Sequence, residues 1–236
     1  MADFPPAPLL PDWPAPAGVR AFTTTRAFGN LADHVDFEKS AVAARRAELR
    51  RHLPGEPVWL AQVHGTRCVE AEASPRGVEA DASVARTPGV VCAVLTADCL
   101  PVLFCDETGS VVAAAHAGWR GLAAGVLEAT VAAMAVPGDR LLAWLGPAIG
   151  PAAFEVGADV VSAFTADDAG AASAFVAKAD GKWLCDLGAL AHRRLRGMGV
   201  ERVFGGRQCT FADAQRFYSY RREGVTGRMA SLIWIV

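Results

Sequence analysis

Three residues in this chain of 236 could hold a metal or share a proton: His64 in QVHG, Cys99 in LTADCLP and His116 in AAAHAGWRG. Each falls at the end of an apolar run that reads as a strand, where a side chain leaves the sheet for a loop. Strand ends of one sheet converge in space although their residues lie far apart in sequence. One thiolate and two imidazoles are too few for a closed structural metal site, but they suit a catalytic one that keeps a coordination position open. Zinc fits that donor set, and copper is the rival ion. Cys99 and His116 could equally form a metal-free nucleophilic pair, with the imidazole drawing the thiol proton. Spacing alone leaves these readings open, together with that of two loop histidines and a buried thiol.

Other groups could serve such a centre. Gly118-Trp119-Arg120-Gly121 joins a strand to a helix, so Gly118 and Arg120 are candidates for cradling an anion. Arg221, Arg222 and Arg228, in the C-terminal FYSYRREGVTGRMAS beside Tyr218 and Tyr220, could clamp another anionic group, with Arg222 and Arg228 ahead of Arg221 for phosphate. Asp98, beside Cys99, and Glu155, after the GPAIGP turn, are the acids placed to move protons. An exposed turn, a solvated hairpin and ordinary loop hydrogen bonding account for the same residues without any function.

Elements that could position these groups follow from the hydrophobic pattern. Apolar content of 52% supports a full core. Residues 1–18 hold six prolines and read as an extended arm, leaving 19–236 as one domain. Strands are expected at 19–25, 58–64, 67–71, 82–85, 90–96, 102–105, 111–116, 141–145 and 200–204, with further segments at 216–220 and 229–236. Several are continuous apolar runs, as in sheets covered on both faces. Helices are expected at 40–53, 122–135, 158–164 and 187–198. The fold class is mixed α/β (α+β), with helices as outer layers.

Composition narrows the function. A net charge of −2 with no block of like charge speaks against nucleic acid and against a membrane surface. No apolar run approaches the ~20 residues of a membrane span, and the proline-rich beginning is no signal peptide, so the expected location is the cytoplasm. Six scattered cysteines without a CxxC pair read as free thiols, with Cys92 and Cys105 as core residues. Five histidines are too few for the blue and trinuclear sites of a multicopper oxidase.

The motifs QVHGTRCVEA, ADASVARTPGVVCAVLTADCLPVLFCD, AAAHAGWRGLAAGVL, LGPAIGPAAFEVG and CTFADAQRFYSYRREGVTGRMASLIWI, in that order, resemble the laccase-domain family. That bacterial group was long labelled multicopper polyphenol oxidase and later recognised as purine nucleoside phosphorylases. The resemblance covers residues 19–236. It implies a layered α-β-β-α domain and a zinc held by His64, Cys99 and His116, with copper possible in vitro. It also implies phosphorolysis of adenosine, inosine, guanosine and methylthioadenosine, with adenosine deamination alongside. Purine nucleosides and phosphate would be the partners of a monomer or weak homodimer.

Rival readings are a Cys–His hydrolase or amidase editing peptidoglycan precursors, a copper-assisted polyphenol oxidoreductase, and a non-enzymatic partner protein. The chain departs from the family twice. TTTRAFGNLADHVD lacks the usual Gly-rich segment, which bears on the substrate role of Arg26. The family's paired cysteines after IGP are Ala152 and Ala153, so those thiols take no part in this protein's chemistry.

Overall fold

A computed structural model describes residues 8–35 and 38–236. The strands are β1 (Val19–Thr23), β2 (Pro57–Val58), β3 (Cys68–Glu70), β4 (Ala82–Ala85), β5 (Val91–Thr96), β6 (Leu100–Asp106), β7 (Val112–Ala117), β8 (Leu141–Leu145), β9 (Glu155–Val156), β10 (Phe175–Ala177), β11 (Trp183–Cys185), β12 (Arg202–Gly205) and β13 (Met229–Ile235). The α-helices are α1 (Lys39–Arg50), α2 (Trp119–Ala124), α3 (Val126–Met134), α4 (Ala158–Thr165), α5 (Leu187–Gly197) and α6 (Tyr220–Glu223). A mixed six-stranded sheet runs in the order β12-β8-β6-β7-β4-β3, and a four-stranded sheet in the order β1-β13-β5-β2. A small sheet, β10-β11-β9, has no counterpart in the sequence-based expectation.

The continuous apolar runs are explained by burial on both faces. In β6, Leu100, Val102 and Phe104 face the helical layer, while Leu103 and Cys105 face the other sheet. In β5, Cys92 and Val94 point between the sheets, and Val91, Ala93 and Leu95 point to the layer that contains Leu49 of α1. Period-2 alternation therefore sorts one strand between two apolar layers, with no polar face to mark it. The outcome is the expected α-β-β-α stack. Cys92 and Cys105 are fully buried as expected, and burial pushes both thiols up to about 12.

Three local expectations need correction. The 122–135 helix is two helices: Gly125 takes φ +104°, a left-handed turn that glycine adopts without strain, between α2 and α3. The 58–64 strand stops at Val58; beyond it the N–H groups of Val63, His64 and Gly65 go to the Asp81 carboxylate and not to a neighbouring strand. Residues 216–220 form no strand. Phe217 N–H bonds the Asp213 carbonyl, and Tyr220 opens α6 behind the Ser219 cap.

The first seven residues of the proline-rich arm lie outside the described residues. Its remainder lies against the body, where Leu9 and Thr23 exchange backbone hydrogen bonds of 2.9 Å and Trp144 Nε1 donates to Asp12 at 3.1 Å. Among the described residues, no helix is long and apolar enough to cross a membrane.

Candidate metal centre and its cavity

Cys99 lies in the link, residues 97–99, that carries the chain from β5 in one sheet to β6 in the other. His116 is the penultimate residue of β7, on the strand face of Val112 and Ala114, which looks between the sheets. His64 occupies a loop with φ +60°, a left-handed conformation uncommon for a residue with a Cβ. The three meet at one end of the sandwich. One ligand atom from each lies within 4.8 Å of the others. The imidazoles meet edge to face at 4.7 Å between centroids, and His64 Nε2 stands 3.7 Å from Cys99 Sγ. A tetrahedral ion with bonds of ~2.3 Å to sulfur and ~2.05 Å to nitrogen would set those two atoms about 3.6 Å apart. The residues fit such an ion.

Asp81, which the sequence reading missed, orients two of the three ligands. It is fully buried, and its Oδ1 lies 2.8 Å from His116 Nδ1. Burial disfavours its charge, but hydrogen bonds from His116 and Gly65 outweigh that and hold its carboxyl below the usual range. An ionised carboxylate only accepts, so His116 Nδ1 carries the proton and Nε2 is left to bind a metal. The same carboxylate receives the backbone N–H groups of Val63 (3.2 Å), His64 (2.9 Å) and Gly65 (2.7 Å).

Charge in the cluster is strongly coupled. Burial alone would raise the Cys99 thiol, but His116, then His64, bring it down to about 6. Burial likewise opposes protonation of His116, yet the Cys99 thiolate and the Asp81 hydrogen bond raise it to about 9. The metal-free cluster therefore favours thiolate and imidazolium, and an ion displaces the ring proton on binding.

Gly118 packs against the ligands themselves. A Cβ there would meet His64 Cδ2 at 2.7 Å and Cys99 Sγ at 3.1 Å. Arg120 is exposed, with its guanidinium 4.4 Å from the centre of the Trp119 ring.

The centre opens into a cavity of about 360 Å³ whose lining includes Trp119, Arg120, Ile149, Phe154, Tyr220, Arg221 and Arg228. Arg120, Arg221 and Arg228 form no ion pair with an acid among the described residues. Arg228 donates to the carbonyls of Thr226 and Gly227, and Arg221 to that of Glu155. Of the C-terminal arginines, Arg221 and Arg228 line the cavity, whereas the sequence reading ranks Arg222 above Arg221 as the phosphate ligand. Arg222 is turned away, with its guanidinium on the carbonyls of Thr210, Phe211 and Phe217 and on Glu223. Arg26 also bonds Glu223, at 2.6 Å, and lies outside the cavity wall.

The two candidate acids part company. Asp98 lines the cavity, but its carboxylate accepts from Thr210 Oγ1 (2.6 Å), Ser219 Oγ (3.1 Å) and Arg221 N (2.7 Å). Its φ of +86° is an unusual conformation held by these ties and by its carbonyl's bond from Ile149 N. Glu155 is not in the lining. Its exposed carboxylate pairs with Lys178 at 2.6 Å, which holds it below the usual range.

Fold and site together define a layered α/β protein with one Cys-His-His centre where its two sheets meet at a cavity. Residues 20–236 match the family described as multi-copper polyphenol oxidoreductase laccase, and the chain belongs to that family. It is 57% identical to a purine nucleoside phosphorylase of Pseudomonas aeruginosa, over 96% of this chain and 98% of that one. Identity to the purine nucleoside phosphorylase YfiH of Escherichia coli is 50%, over 97% and 98% of the two chains. A crystal structure of a Neisseria meningitidis protein superposes with a TM-score of 0.94 at 51% identity, covering 97% of this chain and 98% of the other.

Proposed function

We propose that the protein is a zinc-dependent purine nucleoside phosphorylase acting on adenosine, inosine, guanosine and methylthioadenosine, with adenosine deamination as a side activity. One observation carries this reading: the metal-ligand triad and three arginines that pair with no carboxylate among the described residues open into the same cavity. The names of relatives at 47–57% identity support the same chemistry. Among the described residues His64, Cys99 and His116 are the one cluster suited to a metal, which favours a single zinc over the several coppers of a polyphenol oxidase.

Arg221 and Arg228, with Arg120 at the rim, would hold inorganic phosphate by charge and by directed N–H groups. A phosphate oxygen forms the new bond to ribose C1′ while the C1′–N9 bond breaks. The bond's electron pair leaves with the purine, which takes up a proton. Leu95, Ile149, Phe154 and Leu187 supply apolar wall that keeps water from competing with phosphate. Asp98 acts by holding Arg221 and the α6 turn in place. When bound, the ion supplies positive charge and Lewis acidity at the triad end.

Product analysis with adenosine tests the reading. Adenine and ribose 1-phosphate that form only when phosphate is present support it, and inosine with ammonia marks deamination. Absence of turnover with adenosine, inosine and guanosine overturns it. Hydrolysis of an amide that survives exhaustive chelation and is lost in Cys99→Ser would put a Cys–His nucleophile in its place.

A further inference from the structure

A second cavity, of about 580 Å³, adjoins the first and shares His34, Gln62 and Leu95 with it. Gln62 is the fixed partition. Its Nε2 donates to the Leu95 carbonyl at 2.8 Å and its Oε1 accepts from Leu95 N at 2.7 Å. The amide thus takes the place of a strand on the β5 edge beyond the end of β2, and both of its ends are anchored to the Leu95 backbone.

Beyond Gln62 the walls change character. Trp59 and Leu60 are buried apolar floor, and the Arg46 guanidinium lies 4.4 Å from the centre of the Trp59 ring. Arg46 is held there by the Leu31 carbonyl (2.9 Å) and by Asp33 (3.1 Å). Glu56 accepts from Trp59 Nε1 at 3.1 Å and stands 3.9 Å from Arg76, a loose pair. The chamber therefore presents two guanidinium and two carboxylate groups, with the shared His34 imidazole 3.9 Å from Asp33, and neither the guanidinium pair nor the carboxylate pair serves the metal triad or the three cavity arginines.

That balance selects an occupant. A purely anionic group would leave Asp33 and Glu56 unmatched, and a purely cationic one would do the same to the half-buried Arg46. An apolar tail would cover polar walls without replacing their hydrogen bonds. A group with both an ammonium and a carboxylate can exchange partners with both pairs and strand no charge. We infer that the second cavity is a subsite for a zwitterionic, amino-acid-like tail on a nucleoside seated in the first, an inference that rests on the nucleoside reading of the first.

Kinetics on two 5′-thioether nucleosides test this, one ending in methyl and one in an α-amino acid, as in S-adenosylhomocysteine. The tail should lower KM about tenfold, the effect of one charge-assisted hydrogen bond. Ala61→Phe, which plugs the second cavity from an exposed position, and Arg76→Ala, on an exposed side chain, should each remove most of that gain. Both should leave the methyl compound within about twofold of the parent protein, as expected of changes that touch only the tail. Equal KM values for the two compounds in the parent protein, or a gain that survives Ala61→Phe, overturn the subsite alone. Turnover of neither compound overturns the nucleoside reading and the subsite with it.

Discussion

Replacing Asp81 with Asn should separate what this carboxylate does for the metal from what it does for the fold. Oδ1 receives His116 Nδ1 and His64 N, while Oδ2 receives Val63 N and Gly65 N. An amide oxygen can keep the first pair, but its NH₂ then faces two N–H donors that lose their acceptor. Both donors are part-buried and water can replace some of what they lose, so the metal-free protein should lose on the order of 1–2 kcal/mol. Removing the negative charge behind His116 also weakens the imidazole as a ligand. Losing the carboxylate that orients a ligating imidazole typically costs 10–100-fold in metal affinity, about 1.4–2.7 kcal/mol. Competition with a chromophoric zinc chelator measures the affinity, and urea unfolding of the metal-free protein measures the stability. Affinity within threefold of the parent, at the expected loss of stability, would refute the orienting role. No change in either would refute the geometry itself.

Three other outcomes follow from the same structure. Gly118 has φ −63° and ψ 156°, which alanine accepts, so Gly118→Ala should weaken metal binding by more than about tenfold through contact with His64 and Cys99; unchanged affinity in the same competition assay counts against the close packing. Asp98→Ala removes the acceptor shared by Thr210, Ser219 and Arg221, and should cost about 2–4 kcal/mol in urea unfolding and raise the KM for phosphate more than that for nucleoside. Asp106 is buried and accepts from Thr108, Ser110 and Val111. Burial opposes its charge, but these bonds outweigh that and depress its pKa. Its contribution is therefore complete above the unfolded value of about 3.9 and lost as pH falls through the folded one. Asp106→Ala should then lower the urea midpoint at pH 7 and differ less from the parent near pH 3, and an equal difference at both would refute this.

Much of the fold was legible because both sheets are buried on both faces. The segments β4 to β8 and β13 are mostly apolar and buried at every position, a pattern met by two stacked sheets with helices outside them. The triad was legible only in part: the pattern of apolar runs made His64, Cys99 and His116 candidates, the family resemblance joined them as one ligand set, and His64 sits in a loop beyond β2 and not at a strand end. Other features left no such mark. Gly125 divides a helix whose apolar spacing continues through it, and nothing local distinguishes a tolerated glycine from one at φ +104°. The 58–64 segment has strand composition, but an acid 17 residues after His64 takes its backbone donors.

The C-terminal arginines show the division most plainly. Residue type alone determined that this chain carries a thiolate, two imidazoles and a cluster of guanidinium groups suited to a metal and an anion. Only the tertiary structure decided that Arg221 faces the cavity while Arg222 fastens carbonyls behind it. It alone showed Asp81 behind His116, Asp98 bound on three sides, and Glu155 paired with Lys178 away from the centre. The reason is physical. A side chain's chemical capacity belongs to its own atoms and can be read one residue at a time. Its role depends on which donors and acceptors reach it first, and those come from segments that only the packed chain brings together.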